Sequence, residues 1–271
     1  MKRLRDIVAS AFAAVGMGRE TPTSMPTSPG PEPNSAERPW ERAQAIIRAT
    51  EADLSKGGIR TIGMHVADLE DSLAAANQGL EAARASGYVL TDGQAETVTA
   101  LQLANAGGAG MPGRQVVAVA NPYPSTAFYL GTYYNAIGRP AEALRVLDNG
   151  LALPTSIPRW DGGESRALLI TERGVALFLL RRWEDGLANY NSGLTIDSLD
   201  SSMRATMLRG RGFALIELGR LDEAEKAYRD SLVSEPNNRN ALTELTYIMR
   251  LRAGGPTAPR ALLMVKPPPT P

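Results

Sequence analysis

The chain has 271 residues, 43% of them hydrophobic, enough for one large or two modest folded domains. Its 29 basic and 29 acidic residues cancel, which removes any global electrostatic attraction to nucleic acid. With no cysteine and one histidine there is no disulfide framework, thiolate metal site or cysteine nucleophile, and no apolar run approaches the roughly 18–20 residues of a membrane span.

The first element, residues 1–20, reads in two ways. Met1 to Arg5 is basic and Ile7 to Gly18 is rich in alanine, the outline of a signal peptide with Ala9-Ser10-Ala11 or Ala11-Phe12-Ala13 as its cleavage pattern. Leu4, Val8, Ala11, Phe12 and Val15 also form one apolar helix face, able to dock on a partner or to bring residues 1–18 to a membrane surface. Asp6 and the weak apolar stretch count against export. A cytoplasmic location is therefore favoured, with a periplasmic or exported one as the alternative. Residues 21–38, dense in proline, serine and threonine, read as a disordered linker.

Residues 39–120 form an N-terminal helical region. Pro39 suits the first position of a helix that ends at Gly57-Gly58. Beyond it Ile59, Ile62, Val66, Leu69, Leu73, Ala76, Leu80 and Ala83 alternate steps of three and four, which predicts one long helix with a continuous buried seam. Thr91-Asp92-Gly93-Gln94 resembles a capping box and predicts a helix to about Asn105. A glycine-rich stretch from Ala106 to Gly113 then leads to Gln115 through Ala120, either a short strand or an extended segment lying along the helices.

The second half repeats one pattern three times. Between Ala205 and Asn238 it reads Leu208-x2-Arg211-Gly212-x2-Leu215, then Ala224-x3-Tyr228, then Pro236. The copy from Ala167 has Ile170, Gly174, Leu177, Gly186 and Tyr190, and the copy from Pro124 has Ala127, Leu130, Gly131, Tyr134, Ala143 and Leu147. In small, aromatic and proline positions this stretch resembles the tetratricopeptide repeat family. The resemblance implies an all-α, right-handed solenoid of antiparallel helix pairs at 124–157, 167–200 and 205–238, a capping helix at 240–253 and a disordered proline-rich tail at 254–271. Glycine inside a helix costs roughly 1 kcal/mol against alanine, so Gly131, Gly174 and Gly212 imply tight contact with the second helix, whose small counterparts are Ala143, Gly186 and Ala224. Leu69-Glu70-Asp71-Ser72-Leu73-Ala74 with Asn77-Gln78-Gly79-Leu80 parallels Trp183 to Leu194, so residues 39–86 read as a degenerate further repeat, although Arg60 falls where the contact glycine should be.

By the same resemblance the first helices line a concave face that holds another protein. Carried over by position, the contact residues are Phe128, Thr132, Asn135, Thr171, Val175, Phe178, Arg209, Phe213 and Ile216. The lysine, asparagine and arginine clamp by which some members grip a C-terminal carboxylate is missing. Phe128, Thr132, Glu172, Thr206 and Gly210 occupy its positions. The expected ligand is a largely apolar peptide or helix with one acidic residue meeting Arg209, unless the N-terminal helices or the Val116 to Ala120 segment fill the groove.

Catalytic readings are weak. Gly108-x-Gly110-x-x-Gly113 matches the dinucleotide fingerprint, but a helix precedes it and a β-type run follows, the reverse of the required context. His65 has no second histidine for a metal and reads as structural. Acid pairs such as Glu70-Asp71 and Glu184-Asp185 suit helix surfaces, and Lys226 is spaced to pair with Asp222 or Glu223. The sequence therefore reads as a non-enzymatic adaptor or scaffold with no cofactor or metal. The alternatives are a structural subunit of an envelope or secretion assembly, if the N-terminus is an export signal, and an enzyme with a site in residues 39–120.

Overall fold

Glycine and proline divide the described residues of the computed structural model, 38–91, 117–155 and 163–255, into short helices and one small sheet. The expectations for residues 1–20, the linker at 21–37, the helix to Asn105, the glycine-rich stretch and the tail from 256 lie outside the described residues.

Helix α1 (Pro39–Gly57) opens on proline at its first position and ends where Gly58 takes a φ of 68°, as its punctuation predicts. The expected single long helix is instead three pieces: a 3₁₀ segment (Gly58–His65), α2 (Val66–Ala74) and α3 (Ala76–Ala85). Within the 3₁₀ segment a Cβ on Gly63 would stand 3.1 Å from the Tyr133 hydroxyl, so the winding there fits itself around a ring from the next layer. The apolar period survives the breaks, because Ile62, Leu69, Leu73, Ala76 and Ala83 are all buried.

Strand β1 (Tyr88–Thr91) pairs in parallel with β2 (Val117–Ala120), Tyr88 opposite Val117 and Thr91 opposite Ala120. A parallel pair needs a connection of a dozen or more residues, and β1 and β2 are far enough apart in sequence to allow one. The ribbon rests on a satellite core of Trp40, Ala43, Ala76, Ala83, Leu90 and Tyr123. Gln44 Nε2 donates to the Ala120 carbonyl at 2.7 Å, so Val117 to Ala120 lies against the N-terminal helices and β1.

Three helix pairs follow: α4 (Tyr123–Ala136) with α5 (Pro140–Ala152), α6 (Gly163–Leu179) with α7 (Trp183–Gly193), and α8 (Ser201–Glu217) with α9 (Leu221–Ser234). Helix α10 (Arg239–Arg252) packs on α9 and closes the stack, within a residue of the predicted cap. Each second helix packs on the first helix of the next pair, and the first helix α6 also touches both α4 and α8. The fold is thus an all-helical repeat carrying one two-stranded ribbon. The N-terminal helices continue the pattern, with α2 packed on α4 as α5 is on α6.

The contact glycines hold the pairs together, but not against the small residues the sequence suggested. A Cβ on Gly131 would sit 2.6 Å from Leu147, one on Gly174 2.4 Å from Tyr190, and one on Gly212 2.7 Å from Tyr228. In each pair the glycine therefore receives a large side chain sixteen positions later. Tyr190 is held on both sides, since a Cβ on Gly210 of the next pair would come within 2.3 Å of the same ring. A second small position recurs at Gly150, Gly193 and Ser231, all buried, the two glycines against side chains of the first helices that cross them.

The turns within the pairs share a chemistry too. Gly138, Arg181 and Gly219 adopt the left-handed conformation, with φ of 77°, 57° and 73°. The arginine that follows each, Arg139, Arg182 or Arg220, reaches the carboxylate of Glu142, Asp185 or Glu223 at 2.7 Å.

Candidate protein-binding face

The first helices place the nine expected contact residues on facing sides of α4, α6 and α8, and the closeness of those helices changes what the residues do. Phe128, Thr132, Asn135, Thr171, Val175, Phe178, Arg209 and Ile216 are buried, and Phe213 alone of the nine keeps part of its surface. Eight of the nine are thus packed between helices rather than presented as an open row. Positions that would line a wide groove are here spent on joining neighbouring helices. Asn135 shows how: its Nδ2 donates at 3.0 Å both to the Glu172 carbonyl and to Glu172 Oε2, tying α4 to α6.

Arg209 is paired within the chain. Its guanidinium donates to Glu235 at 2.7 Å and to the Thr206 hydroxyl at 2.8 Å. Glu235 in turn accepts from Ser202 at 2.9 Å and from Asn238 at 2.7 Å. The charge expected to meet an acidic ligand residue is neutralised within its own helix pair. Lys226 pairs with Asp230 at 2.8 Å rather than with either predicted partner, while Glu223 is taken by Arg220 and Asp222 by Arg252.

What the face offers is aromatic. Phe178 lies 4.8 Å from Phe213, 5.9 Å from Trp183 and 5.6 Å from Tyr190, centroid to centroid, and Trp183 and Phe213 are 6.3 Å apart. Phe178 and Tyr190 are buried, whereas Trp183 and Phe213 are half-buried. The cluster spans α6, α7 and α8. Sequence reasoning placed Phe178 and Phe213 but missed Trp183, which lies at the start of a second helix and so outside a pattern drawn from first helices.

Beneath the face sits an acidic side chain without a cation. Glu172 is fully buried, and burial pushes its carboxyl up to about 7, with Asn135 and then Thr132 opposing the shift. Thr132 stands near enough to bias the carboxyl yet makes no hydrogen bond of good geometry. Thr132 Oγ1, Asn135 Oδ1 and Glu172 Oε1 are all left without a partner. An acid in this position is the opposite of what a carboxylate clamp requires.

His65 is half-buried, and its Nε2 lies 3.0 Å from Asp53 Oδ2. That contact holds the Asp53 carboxyl below its ordinary range, with Lys56 adding to the effect, which ties the 3₁₀ segment to α1. The fingerprint-like Gly108 to Gly113 lies outside the described residues. Among the described residues no group of histidine and acidic side chains could hold a metal ion, and no helix is long and apolar enough to cross a membrane.

No protein-family model matches the chain, and no curated protein matches it. Solved structures do. The first TPR domain of human RPAP3 is 26% identical over 48% of this chain and 93% of its own, with a TM-score of 0.41. The first TPR of Spaghetti (RPAP3), bound to the HSP90 peptide SRMEEVD, is 25% identical over 48% of this chain and 93% of its own, with a TM-score of 0.40. The second TPR domain of human RPAP3, in complex with the HSP70 peptide SGPTIEEVD, is 25% identical over 46% of this chain and 98% of its own, with a TM-score of 0.38. The recurring contacts of a first-helix glycine with a large side chain sixteen residues on, the left-handed turns and the stacking of each second helix on the next first helix are internal to this chain. By those features, residues 123–252 are a tetratricopeptide-like helical repeat.

Proposed function

We propose that this chain is a non-enzymatic adaptor that holds a largely apolar segment of another protein against the aromatic edge where α6, α7 and α8 meet. The observation that carries the reading is the Phe178–Trp183–Phe213 cluster, rigidly backed by Tyr190 and retaining surface at Trp183 and Phe213. Aromatic anchors over a packed floor are the usual centre of a protein contact. Phe128, Thr132, Asn135, Thr171, Val175 and Ile216 act in this reading as floor and spacer, and Arg209 fixes the end of its helix pair. Helices α1 to α3 serve as a degenerate leading repeat, since Gly79 carries the Tyr123 ring much as Gly193 carries Met207.

The peptides bound by the RPAP3 domains both end in EEVD, rich in acidic residues. Here Glu172 is buried at a position where the clamp has an asparagine and Arg209 is neutralised by Glu235, so such a ligand meets none of the clamp's cations at this face. The test is capture of partners by the native protein and by the Trp183→Ala/Phe213→Ala variant, with the EEVD peptides titrated in parallel. The expected result is loss of the captured protein in the variant with its helical content unchanged, and no binding of either peptide. Capture at full strength by the variant, or micromolar binding of an EEVD peptide, would overturn the reading.

A further inference from the structure

We propose that Thr132, Asn135 and Glu172 form a proton-operated joint between the first two helix pairs, closed while the Glu172 carboxyl is neutral and loosened when it ionises. The inference rests on the packing of α4 against α6 and not on the identity of any partner.

Both N–H groups of the Asn135 amide are already used by α6, one acceptor being the Glu172 carbonyl and the other Glu172 Oε2. That leaves three buried oxygens without a partner, Thr132 Oγ1, Asn135 Oδ1 and Glu172 Oε1, with one hydroxyl hydrogen among them. A carboxylate would add an uncompensated charge to this set, and burying an unpaired charge is among the costliest things a fold can do. A carboxylic acid instead adds a second donor to a set of oxygens that otherwise holds one. Complete burial without a cation therefore favours the neutral form, outweighing the Asn135 hydrogen bond that would hold the anion.

No charged group on the neighbouring helices changes that choice. On α6 itself, Arg173 faces away, donating to Asp148 of α5 at 2.6 Å and to Asn189 of α7 at 3.1 Å. From α7 comes Tyr190, whose hydroxyl donates to the Thr171 carbonyl at 3.3 Å, and burial with the nearby Glu172 keeps that phenol protonated. On α8, Gly210 backs the Tyr190 ring and Arg209 is held by Glu235 and Thr206. The upward shift of the Glu172 carboxyl toward neutrality agrees with this arrangement.

The sign follows directly. The folded carboxyl titrates at about 7 against an ordinary value of 4.5, so the folded state binds the proton more tightly than the unfolded chain. The stabilisation is full below the ordinary value and is lost as pH rises through about 7.

The full chain, carrying carbon-13 in its glutamate side chains, tests this by NMR titration of the Glu172 carboxyl, assigned by its absence in Glu172→Gln. The expected result is a midpoint near neutrality, with Glu172→Gln melting level with the native protein below the ordinary glutamate value of 4.5 and above it on the alkaline side of about 7. Amide protection of α4 and α6, corrected for intrinsic exchange, should fall on the alkaline side in the native protein only. A carboxyl midpoint in the ordinary glutamate range would overturn the proposal. So would a Glu172→Gln variant that melts lower at pH 8, since that shows the anion itself to be required. If the variant does not fold, the native titration alone decides.

Discussion

Replacing Gly174 by alanine probes the helix contact that repeats through this chain. At an exposed helical site the change gains about 1 kcal/mol from helix propensity. At Gly174 the new Cβ would lie 2.4 Å from Tyr190 Cζ and from its hydroxyl oxygen, far inside van der Waals contact. The ring cannot retreat, because the backbone at Gly210 closes its other side. Overpacking of this kind costs about 1–3 kcal/mol, and a doubly buttressed ring puts it at the upper end. After the propensity gain is subtracted, Gly174→Ala should destabilise the fold by about 2 kcal/mol, a fall in Tm of about 4–8 °C for a domain of this size. Leu147 in the first pair crowds its glycine almost as closely, so relief needs the side chain removed, as in Tyr190→Ala. In a double-mutant cycle followed by thermal and urea melts, Gly174→Ala should cost less in the Tyr190→Ala background, with a coupling of about 1 kcal/mol or more. An additive cycle, or a Gly174→Ala variant as stable as the native protein, would refute the glycine-to-ring register.

Arg181 holds a left-handed φ of 57° where the other two pairs use glycine. Arg181→Gly should therefore stabilise the protein by about 0.5 kcal/mol, while Gly219→Ala costs about 1 kcal/mol, both read from urea midpoints. Removing Arg209 leaves Glu235 with only Ser202 and Asn238 as donors, so Arg209→Ala should cost about 2 kcal/mol, less than for a fully buried pair because Glu235 is 26% exposed. The Arg209→Ala/Glu235→Ala double variant should cost less than the sum of its parts; strict additivity would show that the two groups do not interact.

Much of the repeat was legible in sequence because it is local. Glycine in a helix and proline after one mark positions whatever surrounds them, and the pairs begin and end close to where those residues fall. The partner of each glycine was not legible as proposed. Sixteen residues separate Gly174 from Tyr190, and only the crossing of two helices shows that a ring, rather than Gly186, fills the space. Strand β1 was missed because its partner β2 lies beyond a crossover and neither strand is persuasive alone. The seam from Ile59 to Ala83 gave the buried face correctly but not its breaks, since apolar spacing of three and four suits a 3₁₀ segment and two short helices as well as one long helix. The face itself depended on a quantity no motif carries, the distance between neighbouring first helices. That distance buries Thr171 and Val175 and lets Asn135 reach Glu172. Arg209 looked available because Glu235, twenty-six residues away, is invisible to local charge spacing.

Photocrosslinking from Phe213 tests the adaptor reading most directly. A benzophenone amino acid at this position, introduced into the full chain in its native cells, should form a crosslink to a single protein. The same group at Ala188, exposed on α7, should not form that crosslink. The account predicts a discrete Phe213-dependent protein adduct whose attachment maps to an apolar segment of the partner. Crosslinks of equal pattern from both positions, or only intramolecular adducts from Phe213, would contradict it.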